Sequence, residues 1–213
     1  MMLARRQADS IHFLGSAFLV HGGGYLLTAA HLTTQDAGLV VVPTTYSDEF
    51  SHMTLDRVAA MGVEVRQRDV EHDVALLYIS QDIDIGVPDD FLGVTEGVRP
   101  GASVMALGYS FGHQQVHTLL GYNATVSAKI RSRNDTNLIL YDSAFHEGDR
   151  GGPLVHVADG HIIGILCDRF EPADIARQTG VAEKLEPRET NVSYAVAIEY
   201  GLELMHREGI SDV

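Results

Sequence analysis

Cysteine is almost missing from this chain: Cys167 is the only one among 213 residues. No intrachain disulfide can form, which disfavours an extracellular fold stapled by several bridges and fits a reducing compartment. Positive charge is also scarce, with 15 Lys and Arg against 29 Asp and Glu and a formal net charge of -14. Binding to nucleic acid or an anionic membrane needs clustered Lys and Arg to neutralise phosphate, so neither is expected as a partner. Long apolar runs are lacking as well. The N-terminal Met1-Met2-Leu3-Ala4-Arg5-Arg6 gives way to Gln7-Ala8-Asp9-Ser10, and the next apolar run is broken by His12. This reads as no signal peptide and no membrane span, hence a cytoplasmic protein. In that context Asn123-Ala124-Thr125, Asn134-Asp135-Thr136 and Asn191-Val192-Ser193 are chance matches to a glycosylation acceptor pattern.

The hydrophobic fraction of 45% is that of a globular protein, and the length suits one large all-β domain or two small ones. Apolar stretches at 11–20 and 24–28 flank His21-Gly22-Gly23-Gly24 and read as a hairpin. Further short strands are expected at 38–42, 53–66 and 74–79. From about 81 to 100 the chain turns acidic and loop-like, with Pro88, Asp89, Asp90, Gly93, Gly97 and Pro100 as punctuation. A second series follows at 104–107, 116–130, 138–141, 154–157, 161–167 and 192–197. Closely spaced strands without intervening long helices argue for barrels or sandwiches. The division expected is an N-terminal barrel over 1–90 and a C-terminal barrel over 91–213. A polar stretch at 168–190 carries a possible helical turn at 173–184, and 198–207 reads as a short terminal helix.

Three local patterns carry chemistry. Gly148-Asp149-Arg150-Gly151-Gly152-Pro153-Leu154 is a tight loop whose glycines allow consecutive N–H groups to point into a cleft. Taken alone it is also an ordinary Gly-Pro turn. Thr28-Ala29-Ala30-His31 ends an apolar strand, and His72-Asp73-Val74-Ala75-Leu76-Leu77 sets an acid before another. Alone, these are a structural histidine and a capping aspartate. Together they stand in the order His, Asp, nucleophile loop, each at a strand end, and that is the order of a catalytic triad.

With Gly15-Ser16-Ala17-Phe18, Ala106-Leu107-Gly108-Tyr109-Ser110-Phe111-Gly112 and Tyr194-Ala195-Val196 added, the chain resembles the trypsin-like (chymotrypsin-fold) serine endopeptidases from about 15 to about 198. It is most similar to their disulfide-free bacterial branch, which includes the Deg/HtrA proteases. The resemblance implies an all-β fold of two antiparallel six-stranded barrels with a short C-terminal helix. It makes His31 the general base, Asp73 its orienting acid and residue 150 the nucleophile. The oxyanion hole would be the N–H groups of Gly148 and Arg150. Ala144 would floor a specificity pocket for small or apolar side chains. The strand edge pairing with substrate would be Ile165-Leu166-Cys167-Asp168, with Cys167 a buried structural thiol. No cofactor is implied. A metal is not expected either, because His113 and His117 have no neighbouring carboxylate or Cys ligands in the sequence.

Arg150 departs from the pattern: it has no ionisable oxygen or sulfur and cannot form an acyl-enzyme. One reading is a pseudoprotease that binds a peptide or protein partner. The alternative is a genuine serine endopeptidase in which Arg150 is an inactivating variant of the nucleophile. Since Ala144 offers the guanidinium no carboxylate, it is expected across the cleft mouth near His31, solvated or paired with an acid such as Glu147. Asp149, which pairs with a newly cut N-terminus in secreted trypsins, has no evident partner in the sequence.

Overall fold

The computed structural model describes residues 1–8, 10–43, 50, 52–55, 57–81, 85–171 and 190–210. The expected helical turn at 173–184 lies outside them. The described chain is nearly all antiparallel β, in two sheets that follow one another in sequence.

The first sheet contains β1 (Met2–Gln7), β2 (Ser10–Ser16), β3 (Phe18–His21), β4 (Tyr25–Ala29), β5 (Leu39–Val42), β6 (Met61–Asp69) and β7 (Val74–Ile79), in the order β2-β1-β5-β6-β7-β4-β3. Its two end strands, β2 and β3, are separated only by Ala17. They are therefore one strand bent at that residue, pairing with β1 on one side of the bend and β4 on the other. Counted so, the sheet has six members and curls back on itself. The sequence reading had found five of them, missing β1, whose Met-Leu-Ala-Arg-Arg-Gln run carries no β-branched residue. The strand expected over 53–66 begins only at Met61.

The second sheet closes into a barrel in the order β10-β13-β12-β11-β8-β9. Its strands are β8 (Ser103–Gly108), β9 (Leu120–Arg131), β10 (Asn137–Tyr141), β11 (Pro153–His156), β12 (Ile162–Arg169) and β13 (Ser193–Ala197). All six match expected strands, β9 starting at Leu120, four residues later than expected. Each barrel has its own apolar core, around Leu3, Leu26 and Val41 in the first and Val104, Ile139 and Leu166 in the second.

A third apolar cluster joins the barrels. Leu27, Val74 and Leu76 of the first sheet meet Ile165, Val196 and Ile198 of the second. Helix α1 (Glu199–Arg207) follows β13 yet docks back on the first barrel. A Cβ on Gly201 would come within 2.5 Å of Leu27 Cδ1, so glycine there lets the helix lie against Leu27 without displacing it. Beyond the helix, Glu208 accepts hydrogen bonds from Arg66 Nε at 2.7 Å and Gln67 Nε2 at 2.9 Å. The helix thus straps the barrels together and fixes the two rims that face one another across the cleft.

Candidate active site

The first barrel supplies His31 and Asp73. His31 lies in a single 3-10 turn at the end of β4, and Asp73 precedes β7, which pairs with β4. Asp73 adopts a left-handed conformation with φ 58°, an uncommon one for a non-glycine residue that Asp tolerates better than most. From there its carboxylate holds His31 twice. Oδ1 accepts the His31 backbone N–H at 2.9 Å, and Oδ2 lies 2.8 Å from the ring Nδ1. Its carbonyl also accepts the Ala30 N–H at 3.1 Å. A carboxylate on Nδ1 fixes the neutral ring with its proton there and leaves Nε2 as a base facing outward, the orientation a general base requires.

The second barrel supplies the loop between Phe145 and Pro153, and its glycines are demanded by crowding. A Cβ on Gly148 would meet the Tyr109 carbonyl oxygen at 2.0 Å, and one on Gly152 the Leu107 oxygen at 2.1 Å. Gly151 has φ +81°, and its Cβ would fall 2.2 Å from both the Ser16 oxygen and Thr28 Oγ1. Ser16 sews this loop to the first barrel. Its hydroxyl donates to the Gly148 carbonyl at 2.7 Å and accepts the Tyr109 N–H at 3.0 Å, while its backbone N–H donates to the Arg150 carbonyl at 2.7 Å. In the sequence Ser16 stands out only within the Gly15–Phe18 stretch of the resemblance, and nothing in its local pattern marks a buried cross-barrel residue.

Asp149 finds its partners inside the second barrel. It is buried, accepts the Ser110 hydroxyl at 2.6 Å and caps the His146 N–H at 3.0 Å. Tyr122 donates in turn to Ser110 at 2.9 Å. Burial pushes the Asp149 carboxyl up from its ordinary range, partly opposed by the Ser110 and His146 hydrogen bonds. The Met1 amine is elsewhere, donating to the Ala17 carbonyl at 2.7 Å, with burial lowering its pKa to about 5.

Residues 147–149 form one 3-10 turn, and Arg150 caps it by directing its backbone N–H to the Glu147 carbonyl at 3.4 Å. That N–H therefore points back into the loop. The Arg150 side chain reaches the expected Glu147 and a second, nearer acid. Its Nη2 donates to Asp168 Oδ2 at 2.8 Å, whereas Nη1 is 4.0 Å from Glu147. Its Cζ also stands 5.7 Å from the Phe145 ring centre, within cation–π range. Asp168 prevails because it lies directly across the loop on β12, where only the fold could bring it. Ala144 is exposed, and the buried aromatic beneath the guanidinium is its neighbour Phe145.

The substrate edge expected over 165–168 is shorter than the sequence suggested. Ile165 pairs with Pro153 of β11, and Leu166 exchanges hydrogen bonds with Gly151 and Gly152. On that side, among the described residues, the strand is unpaired from Cys167 onward. Cys167 is fully inside the protein, its thiol pKa pushed far up by burial and then by the nearby Asp73 charge, so the thiol is inert. Among the described residues no group of His, Cys, Asp or Glu is arranged to hold a metal ion. None of the described helices is long and apolar enough to cross a membrane.

Comparison with known proteins agrees with this architecture. The family model for the trypsin-like peptidase domain matches residues 15–165. A probable periplasmic serine endoprotease DegP-like from Hahella chejuensis is 28% identical over 206 residues, covering 95% of this chain and 37% of its own. The DegP-like protein of Pseudomonas putida is 32% identical over 169 residues, 78% of this chain and 30% of its own. Mouse serine protease HTRA4 is 29% identical over 155 residues, 71% of this chain and 29% of its own. Among solved structures, the HtrA-type protease AlgW with a decapeptide superposes with a TM-score of 0.67 at 25% identity, covering 92% of this chain and 52% of that one. The chain spans about a third of the length of these curated relatives and about half of that structure. With two barrels, a joined His31 and Asp73 and a family match over most of its length, the chain belongs to the trypsin-like peptidase domain family.

Proposed function

We propose that this chain is a trypsin-like domain without a catalytic step, whose cleft holds a peptide or protein partner and does not cut it. The observation that carries the reading is Arg150. It stands in the family's nucleophile position, where acyl transfer needs a hydroxyl or thiol, and it offers only a guanidinium that remains protonated. Two further features support it. The guanidinium is tied to Asp168, a residue of the stretch that the resemblance assigns to substrate pairing. The Arg150 N–H, one of two expected to stabilise an oxyanion, is directed at the Glu147 carbonyl. In this reading His31 and Asp73 persist as a base and its orienter without a proton to take. The AlgW structures were solved with bound peptides, and a peptide is the partner class we assign here, in the cytoplasmic compartment suggested by the single buried thiol.

A specific observation favours the second reading. The His31–Asp73 pair is intact at 2.8 Å, as it would be in a serine endopeptidase in which only residue 150 had changed.

Intact-mass analysis after exposure to a fluorophosphonate separates the readings. No adduct is expected on the chain as it stands, and one adduct per chain on Arg150→Ser. An adduct on the unmodified chain would overturn the inactive reading. A peptide that binds the unmodified chain uncut and is cleaved by Arg150→Ser would place both readings on the same cleft.

A further inference from the structure

The loop that carries Asp73 is held by a second aspartate and histidine, one step back along the chain. Asp69 and Val74 are the last pair of the β6–β7 hairpin, which leaves Val70, Glu71, His72 and Asp73 as its loop. Asp69 Oδ1 accepts the His72 backbone N–H at 3.0 Å, and Oδ2 lies 2.7 Å from the His72 ring Nδ1. Asp73 holds His31 with the same two-point grip. Since His72 and Asp73 are adjacent residues, the two grips are joined through a single peptide bond. Burial would raise the Asp69 carboxyl, but hydrogen bonds from the His72 ring and backbone outweigh it and hold the group below its ordinary value, so at neutral pH it is an ionised acceptor.

The rest of the clamp comes from the second half of the chain. The His72 ring is stacked on Tyr200, with centroids 4.0 Å apart and planes 14° from parallel. Tyr200 lies in the first turn of helix α1, and its hydroxyl is itself fixed, accepting the Asn137 N–H at 2.9 Å and donating to the Asp135 carbonyl at 3.4 Å. From the same β9–β10 turn, Asn134 Nδ2 donates to the Glu71 carbonyl at 2.7 Å. Asp73 has φ 58°, a conformation that costs a non-glycine residue free energy and persists only where the surroundings impose it. The first barrel contributes Asp69 and the Ala30 N–H to that constraint. Tyr200 and Asn134 contribute the remainder from across the seam.

We propose that His72 is a positioning residue for the His31–Asp73 pair: held between Asp69 and Tyr200, it lets the second barrel and its helix set the orientation of an acid that the first barrel carries. A histidine suits the place because it offers a flat ring to Tyr200 and, in the plane of that ring, an N–H to Asp69. Phenylalanine has only the first and asparagine only the second. The pair is aligned only while helix α1 and the 134–137 turn are docked on the loop, so the base on one rim depends on the seating of the other barrel. Both readings of the cleft contain the His31–Asp73 pair, and neither a nucleophile at 150 nor a bound peptide enters the proposal.

The test reads the His31 ring directly, from long-range proton–nitrogen correlation spectra of the full chain at a pH where the ring is neutral. With Asp73 in place the ring proton should sit on Nδ1. His72→Ala should loosen that hold and lower the ratio of the Nδ1–H to the Nε2–H form by about tenfold or more, the scale of losing a hydrogen bond to a charged acceptor. Tyr200→Leu, across the seam, should move the ratio the same way. His72→Asn and His72→Phe each keep one of the two contacts and should fall between His72→Ala and the unmodified chain; they carry the test if His72→Ala does not fold. His156→Asn is the control, because His156 makes a similar pair with Asp159 at 2.8 Å in the β11–β12 turn, and its loss should leave His31 unchanged. A lowered melting temperature with the His31 ratio unmoved in His72→Ala, or in both half-variants, would reduce His72 to packing and overturn the proposal. An unmoved ratio in Tyr200→Leu, or an equal change from His156→Asn, would overturn it as well. None of these readouts passes through Arg150, so the result stands apart from the fate of the cleft reading.

Discussion

The two rims of the cleft have been treated differently. On the first barrel, His31 and Asp73 keep both the backbone frame and the side-chain chemistry, with two contacts from one carboxylate. On the second, close contacts hold the loop glycines in place, while residue 150 is an arginine and its N–H is turned to the Glu147 carbonyl. The contrast shows which positions a fold enforces. Gly148, Gly151 and Gly152 each meet a backbone oxygen within about 2.2 Å of a hypothetical Cβ, so they cannot change without moving the barrel. The side chain at 150 is half-buried, over the Phe145 ring and paired with Asp168, with no comparable backbone collision to fix its identity.

The largest effect should come from putting an oxygen back. Arg150→Ser is expected to show burst kinetics with an activated ester, and His31→Ala in that background should remove it, a difference of up to about a million-fold. A folded Arg150→Ser that stays unlabelled would move the contrast from the side chain to the Glu147 carbonyl, which accepts the residue-150 N–H.

Next come the loop glycines. Gly151→Ala should cost more than about 4 kcal/mol in chemical denaturation, through strain at positive φ and collision with Ser16 and Thr28. Gly160→Ala, at φ +79° but with nothing within 4 Å, should cost only about 1 kcal/mol. Equal losses would show that conformation alone, and not the seam between barrels, makes Gly151 necessary. Ser16→Ala should cost about 1–3 kcal/mol by leaving the Gly148 carbonyl and Tyr109 N–H without their shared partner.

Asp149 gives a smaller, pH-dependent effect. Its carboxyl is raised by burial, so the folded state favours the protonated form. The stability from this group is present in full below the unfolded value near 4 and is lost as pH rises through the raised folded value. Asp149→Asn should remove that part of the fall in stability seen on raising pH from 4 toward neutral. The smallest effect is expected at Asp168→Ala. The pair with Arg150 is partly exposed and worth at most about 1 kcal/mol in urea melts, but its loss should increase peptide affinity if the guanidinium covers the strand edge.

How much of this was legible depends on how local each signal is. Eleven of the strands, once β2 and β3 are read as one, were visible as short apolar or alternating runs between turn residues, because burial on one face leaves that mark along the chain. β1 left none: Met2, Leu3 and Ala4 are buried on both faces, and Arg5, Arg6 and Gln7 are not. The order of His31, Asp73 and the glycine-rich loop was legible because each sits in a motif whose residues constrain their own backbone. The Arg150 partner was not, since the choice of Asp168 over Glu147 depends on β12 passing across the loop.

By itself, then, the sequence determined the class of fold, the positions of the rim residues and the absence of a nucleophilic atom at 150, all properties of residue type and short spacing. Tertiary structure decided the rest: the closure of the first sheet through Ala17, the seam made by Ser16 and the resting place of the Arg150 charge. Each depends on segments far apart in the chain meeting within hydrogen-bonding or van der Waals distance, and a linear pattern carries no record of which distant partner lies across the gap.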